Sequence, residues 1–500
     1  MSHLVHSSSM LGGGLETMPH GPIPSTNVEV VESYDDVYLP ISTGFNAGDV
    51  VQFQVAQTGM YTDLSKSYVL CTGNWQTFGG SVFAVVNSGL SPGFPNTGLF
   101  GRQELYYNGG KISPSRDGDQ YIQFLHKLLL RKEAGFESDV RGVYASQQLP
   151  DQDVSIDCLD DPGSIFATLP AAGTAGGYAP TPYTSGDNIG ALMRRDRVLF
   201  DIVQSGTAAG TETASNAVQY MYRPEIGGWS DLKKYLPDRV AIDLQLTVNA
   251  PTAYGYAQTE AQLFQFVFSK IELILHHVKL RKEVVDQNNL AMLEKPWEHP
   301  ITVNIYKRQT VNPAAGATSV AVDLSSVYQG AQPKALCVFA QNSTFQSSFE
   351  EDIFWFDEGT EQNYGGFTNL FILVNGRQIP RRPYEMQGLN KTSKFRQYRD
   401  FIQGSAAGWS DKKTNMLSFL QYCMNHPVYL FWIDPLEELH DQYTPTQDVN
   451  IEVHGVIQSN LGFASNISVH VIALVPAVLE IDGSRAVKVV SRSRELLSLE

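Results

Sequence analysis

One local pattern occurs twice, about half the chain apart. Residues 105–112 read LYYNGGKI and residues 373–379 read LVNGRQI. In each, a β-prone run enters an Asn-Gly pair, leaves through polar residues and reaches an Ile with Pro close behind. Asn108-Gly109 matches Asn375-Gly376 at an offset of 375 − 108 = 267. Asn-Gly between apolar runs predicts a two-residue hairpin, because both residues tolerate the positive φ of a type I′ turn. Two such hairpins in the same context predict a duplicated β-domain.

The flanking segments repeat too. Tyr121, Phe124, Leu125, Leu128 and Leu129 form one apolar helical stripe after the first hairpin, with Asp117 and Asp119 placed to cap it. Phe395, Tyr398, Phe401 and Ile402 form a stripe after the second, with Thr392 or Ser393 as cap. Strand-like openings at 27–34 and 302–309 lie 275 apart (302 − 27). Each half closes on alternating strands: Val240–Val248 and Phe268–Val278 in the first, Val449–Ile457 and Ile467–Val475 in the second. There the offset falls to 449 − 240 = 209, so the first copy carries an insertion between its helix and its closing strands.

The intervening segments complete an all-β reading. Turns are expected at Phe45-Asn46-Ala47-Gly48 and Thr72-Gly73-Asn74, a short strand at Val198–Val203, and long loops at 87–98, 157–190, 204–217 and 345–366. Residues 280–300 are charged and mildly helical and read as a connection. Many short strands with a lone helix after one hairpin in each half predict two tandem eight-stranded jelly rolls, a double jelly roll with short helices in its connecting loops. The expected divisions are an arm at 1–26, a first jelly roll at 27–285, a linker at 286–300, a second jelly roll at 301–483 and a tail at 484–500.

Five hundred residues suit two large cores. The net charge of −16 opposes a main task of gripping nucleic acid. No apolar run is long enough to span a bilayer, and no signal peptide is evident. Cys71, Cys158, Cys337 and Cys423 show no paired spacing and read as reduced thiols; the sequons at Asn342, Asn390 and Asn466 are then chance matches. The arm has Glu16 as its only formal charge. The tail carries Arg485, Lys488, Arg492 and Arg494, and is expected to stay off the chain's own core, either solvated or touching a neighbour or nucleic acid.

The segments LFGRQELYYNGGKISPS (99–115), YIQFLHKLLL (121–130), FSKIELILHHVKL (268–280), NLFILVNGRQIPRRPY (369–384) and ISVHVIALVPAVLEIDGSRAV (467–487) resemble, in pattern and order, the major capsid proteins of the double jelly-roll lineage. The likeness points to those of Polinton/Maverick elements, adintoviruses and virophages. It spans most of 28–490; residues 137–235 and both tails show nothing family-like. The resemblance implies a structural subunit of an icosahedral DNA-virus shell, located in the virion and assembled in host cytoplasm or nucleus. It implies homotrimers forming pseudo-hexagonal capsomers, with neighbouring capsomers, penton and minor capsid proteins as partners and at most weak contact with packaged DNA. The alternative is a tandem β-sandwich that binds or processes carbohydrate.

Reactive chemistry finds little support. No nucleophile elbow or phosphate loop occurs, and Gly173–Gly177 lacks the flanking strand and helix that such a loop needs. His276 and His277 are adjacent on a strand, so they face opposite ways and cannot share a metal. His440 follows Glu437-Glu438 without a second His at helical spacing. Asp157, Asp160 and Asp161, and Glu350, Glu351, Asp352, Asp357 and Glu358, are acidic loops that could hold calcium but read as solvated or ion-paired. The run Phe354-Trp355-Phe356 reads as a subunit-contact anchor. The expectation is no enzyme, and no catalytic, cofactor or metal site.

Overall fold

A computed structural model describes residues 30–78, 88–90, 97–113, 118–125, 217–257, 260, 263–343, 356, 366–386, 394–409, 422, 427–433, 448–491 and 494–495, apart from 43, 233, 460, 461 and 464. The arm at 1–26, the strand at Val198–Val203, Cys158 and Cys423 lie outside these residues, as do the 157–190 loop and nearly all of the 204–217 and 345–366 loops; of the expected 87–98 loop, 88–90 form a short strand, 97–98 are described and the rest lies outside.

The first half contains β1 (Val30–Tyr38), β2 (Val50–Val55), β3 (Tyr61–Thr77), β4 (Ser88–Leu90), β5 (Phe100–Tyr107), β6 (Gly110–Lys111), β7 (Val218–Tyr222), β8 (Ile242–Val248), β9 (Gly255–Ala257) and β10 (Phe264–Leu280). The second contains β11 (Trp297–Val311), β12 (Ser319–Ala331), β13 (Ala335–Asn342), β14 (Gly366–Val374), β15 (Arg377–Glu385), β16 (Tyr429–Trp432), β17 (Asp448–Gln458) and β18 (Ile467–Ile481), then β19 (Val487–Ser491) and β20 (Arg494–Glu495). Among the described residues three α-helices join them: α1 (Asp119–Phe124), α2 (Lys282–Glu294) and α3 (Phe395–Trp409).

The wiring repeats strand for strand. In the first half the sheets run β1-β10-β3-β7 and β2-β8-β5-β6; β4 pairs separately with β9. In the second, β11-β18-β13-β16 and β12-β17-β14-β15 follow the same order, every pairing antiparallel. Each half is therefore an eight-stranded jelly roll. Both Asn-Gly turns join the same two strands, with φ of 47° and 82° at Asn108 and Gly109 and of 49° and 78° at Asn375 and Gly376. The hairpins occupy equivalent places, as the repeat predicts.

Burial follows the alternation. On β8, Ile242, Leu244, Leu246 and Val248 point into the first core; on β17, Val449, Ile451, Val453 and Ile457 point into the second. β18 is instead buried on both faces over Ile467–Val475. Val469, Val471, Ala473 and Val475 enter the sandwich, while His470, Ile472 and Leu474 lie under a second layer.

Several expectations need correction. Thr72-Gly73-Asn74 is no turn but the interior of β3, which pairs antiparallel with β10 in the same sheet. A Cβ at Gly73 would lie 2.3 Å from the Val267 carbonyl oxygen, so glycine serves close backbone approach. The connection between the halves is shifted from 286–300 to the residues between Leu280, where β10 ends, and Trp297, where β11 starts. Residues 282–294 form α2, and 297–300 already belong to β11, where Trp297 is buried and opposes Ile481. Asp119 does not cap α1; Gly118 is the N-cap, and the Asp119 carboxylate accepts from the Gln103 backbone N–H at 2.6 Å. On α3, Phe395 is 64 % exposed and leaves the expected stripe, whereas Phe401 is buried with Tyr398 and Ile402 packed beside it. Asp117, Leu128, Leu129, Thr392 and Ser393 lie outside the described residues. The turn at 45–48 is present: the Asp49 N–H donates to the Asn46 carbonyl at 2.9 Å, and Gly48 has φ of 88°.

Candidate functional site

The two jelly rolls share a junction made in three layers. The first is a strand ribbon. β11 and β18 pair without interruption from Trp297↔Ile481 to Val311↔Ile467. At one end Val469 and Val475 fill the second core. At the other, Trp297, Ile301, Val303, Ala477, Leu479 and Ile481 complete the first core. Neither sandwich is closed without the other.

The second layer is helical. α1, from the first jelly roll, lies with α3 on the outer face of the second jelly roll's β11-β18-β13-β16 sheet. Tyr121, Phe124 and Leu125 pack there with Phe401, Tyr422, Phe339 and Leu474. Tyr121 stacks on Tyr306 with centroids 6.0 Å apart and planes at 17°, and its hydroxyl donates to Gln341 Oε1 at 3.1 Å. Gly118 has φ of 145°, and a Cβ there would fall 2.4 Å from the Tyr306 ring, so only glycine lets α1 begin so close. Beneath lies His470, stacked 4.7 Å from Phe339 at 8° and sharing a 2.8 Å hydrogen bond with the Tyr306 hydroxyl through Nδ1. Burial, aided by the charge of Arg308, pulls the His470 pKa down to about 3, so the ring is neutral in the fold. Phe356 sits 4.2 Å from Phe339. The aromatic run expected as a subunit anchor thus places its one described member inside this chain's own core, completely buried.

The third layer is the C-terminal strand, which overturns the reading of residues 484–491 as a segment off the core. β19 folds back on β18, Val478↔Val490 to Ile481↔Val487, and Val489 enters the first core. In the connecting turn Arg485 is buried. Its Nε donates to the Asp238 carbonyl at 2.9 Å, and its Nη2 donates to the Asp238 carboxylate and to Asn289 Oδ1. Asp238 is only 2 % exposed, so a buried carboxylate draws the guanidinium inward. The charge on this tail marks a clasp, where charge alone read as solvation. Residues 492, 493 and 496–500 lie outside the described residues.

Away from the junction, β1 is the terminal strand of its sheet and pairs only with β10 among the described residues. Val37, Leu39 and Ile41 point outward from this edge, Leu39 being 63 % exposed. Asp35 with His276 at 2.7 Å and Glu32 with Lys279 at 3.9 Å put charge along the same strand pair, which discourages indiscriminate edge pairing. His277 is buried against Thr62 and Tyr38, opposite in direction to His276, as adjacent strand residues must be. Burial lowers the His277 pKa, with Asp36 pulling the other way.

The acidic groups Asp157, Asp160, Asp161, Glu350, Glu351, Asp352, Asp357 and Glu358, together with Glu437, Glu438, His440 and Gly173–Gly177, lie outside the described residues. Among the described residues no three His, Cys, Asp or Glu side chains converge in a metal-holding group. No described helix is long and apolar enough to cross a membrane. Cys71, in the first core, and Cys337, under the helical layer, are free thiols, and burial pushes Cys337 up to about 12.

No protein-family model matches the chain, and no curated protein matches it. Solved structures do. A chain in the cryo-EM structure of the Sputnik virophage is similar over 96 % of this chain and 93 % of that one, at 11 % identity and a TM-score of 0.58. The Faustovirus major capsid protein is similar over 91 % of each chain, at 11 % identity and a TM-score of 0.50. Likeness over nearly whole chains, with the strand order above, shows the double jelly-roll fold.

Proposed function

We propose that this chain is a major capsid protein, a structural subunit that trimerises into pseudo-hexagonal capsomers of an icosahedral DNA-virus shell. The observation that carries the reading is the fused duplication. Two jelly rolls of identical wiring share cores through β11, β18 and β19, and so move as one body. Three such chains present six near-equivalent corners, the geometry a hexagonal lattice requires. The similarity to the Faustovirus major capsid protein supports it. A net charge of −16 suits a wall that does not hold its polyanionic cargo tightly. On this reading the protein resides in the virion, works without catalysis, and meets copies of itself, penton and minor capsid proteins.

Electron microscopy of the purified protein tests this. Compact particles with pseudo-six-fold outline, tiling into sheets or shells at high concentration, are expected. Monodisperse two-lobed monomers that turn over an oligosaccharide would contradict it and favour a carbohydrate-active sandwich.

A further inference from the structure

The two halves of the repeat differ in one contact. α1, the helix after the first hairpin, reaches beyond its own roll. Its Tyr121 stacks at 6.0 Å on Tyr306 of β11, the first strand of the second roll. α3 is the corresponding helix of the second copy. At one offset of 274, Tyr121 and Phe124 fall on Phe395 and Tyr398 (395 − 121 and 398 − 124). Tyr398 packs in the helical layer, as Phe124 does. Phe395 departs from its counterpart: it is 64 % exposed, where Tyr121 is 1 % exposed. If α3 repeats what α1 does, Phe395 needs the first strand of a roll. β11 already receives α1, which leaves β1.

β1 holds the place in the first roll that β11 holds in the second. Its outward residues suit an aromatic partner. Val37 is 56 % exposed and stands in a row with Ile274 on β10 and Tyr68 on β3. Leu39, just past the end of the strand, is 63 % exposed. Large apolar side chains that a soluble subunit leaves in water on one sheet face mark a contact surface, and an aromatic ring is a usual anchor for one. Charge agrees with the match. The pair β1 and β10 carries Glu32, Asp35, Asp36 and Glu272 against Lys270 and Lys279, a net of 2 − 4 = −2 with its histidines neutral. Around Phe395, the described part of 377–400 carries Arg377, Arg381, Arg382, Lys394, Arg396 and Arg399 against Glu385 and Asp400, a net of 6 − 2 = +4 in a chain of −16. Opposite potentials steer two surfaces together and fix their register.

We propose that α3 of one copy seats Phe395 on β1 of the next copy, repeating between chains the contact that Tyr121 makes with β11 within one. The inference rests on the capsid reading and names the surface that closes its trimer. The contact is head-to-tail, with different patches on the two sides, so it forms a closed ring when the rotation between copies is one third of a turn. Around that ring α1 and α3 alternate, and all six roll-to-roll junctions are alike.

Cross-linking between full-length chains tests it, in a background of Cys158→Ser and Cys423→Ser. A chain with Phe395→Cys is co-expressed, under a different affinity tag, with a chain carrying Val37→Cys or Leu39→Cys, and the assembled protein is treated with a short bismaleimide. A covalent product bearing both tags is expected with at least one of the two partners. Val50→Cys, on β2 in the other sheet of the first roll, should give none. Separately, Phe395→Asp should remove the trimer peak in native mass spectrometry while leaving the far-ultraviolet circular dichroism of the folded chain unchanged. A wild-type trimer that yields no two-tag product and survives Phe395→Asp would overturn the proposal but leave the capsid reading standing, with the trimer closed by another surface. A product as abundant with Val50→Cys would overturn it too. A wild-type protein that is monomeric throughout would overturn both.

Discussion

Asn108 and Asn375 stand at the same point of the two halves and make the same three bonds. Each backbone N–H donates to the carbonyl of a residue on or beside the neighbouring strand, Ala241 at 3.0 Å and Asn450 at 2.9 Å. Each Oδ1 accepts the N–H of that same residue, at 2.7 and 2.8 Å. Each Nδ2 donates to the carbonyl two residues earlier, Arg239 at 3.3 Å and Asp448 at 3.2 Å. The first copy adds two bonds, from Asn108 Nδ2 to the Arg485 carbonyl at 2.9 Å and from Gln57 Nε2 to Asn108 Oδ1 at 3.3 Å. Asparagine is thus used twice over, for its left-handed φ and for a clamp that fixes where the hairpin lies.

Asn375→Ala is expected to cost about 2 kcal/mol, from strain at positive φ and two lost side-chain bonds. Asn108→Ala should cost more, because it also frees the C-terminal clasp. Replacing either by Gly should restore only the backbone share. Denaturant unfolding measures these differences; a Gly variant as stable as the wild type would show that the clamp contributes nothing.

Arg485→Met should be among the most damaging single changes, at about 3–5 kcal/mol, because it strands the Asp238 carboxylate. Arg239, 3.6 Å from that carboxylate but largely exposed, compensates weakly. The double variant Arg485→Met/Asp238→Asn should melt higher than Arg485→Met alone. Equal melting temperatures would mean the buried pair is energetically idle.

The jelly-roll strands and both hairpins were legible because their signals are local: period-two burial, Asn-Gly turns and a repeated order. The junction was not. Leu479 and Val475 follow the same alternation on β18, and nothing in their spacing says that one fills the first core and the other the second. Arg485 reads as a solvated charge until Asp238, 247 positions earlier, is placed beside it. Gly73 resembles a turn residue because close approach by Val267 is a tertiary fact.

His470 makes stability fall in acid. Its folded pKa of about 3 lies below the ordinary value of 6.5, so the unfolded chain binds the proton first. The contribution is intact above about pH 6.5 and is lost at up to about 1.4 kcal/mol per unit as pH falls toward 3. His470→Phe should cost about 1 kcal/mol at pH 7 but show a shallower decline between pH 6 and 4. His454 works the other way. Burial pulls its pKa down, but bonds to Asp323 and Glu452 prevail and raise it. Its contribution is present below the ordinary histidine range and fades as pH rises through the folded pKa. Melting temperatures across pH for the wild type, His470→Phe and His454→Gln check the two signs; parallel curves would refute them.

Tyr121→Ala empties the centre of the helical layer and should cost about 3–5 kcal/mol. Because Tyr121 belongs to one jelly roll and Tyr306, Phe339 and Gln341 to the other, the loss should also uncouple them. Scanning calorimetry is expected to resolve one transition in the wild type and two in the variant. A single, merely lowered transition in the variant would mean that the shared strand ribbon suffices.

The capsid reading rests on three chains closing into one capsomer, and a mass measurement decides it. Native mass spectrometry or light scattering at micromolar concentration should give three times the 55.3 kDa chain, about 166 kDa, with no monomer peak of comparable size. A single 55.3 kDa species under the same conditions would contradict it.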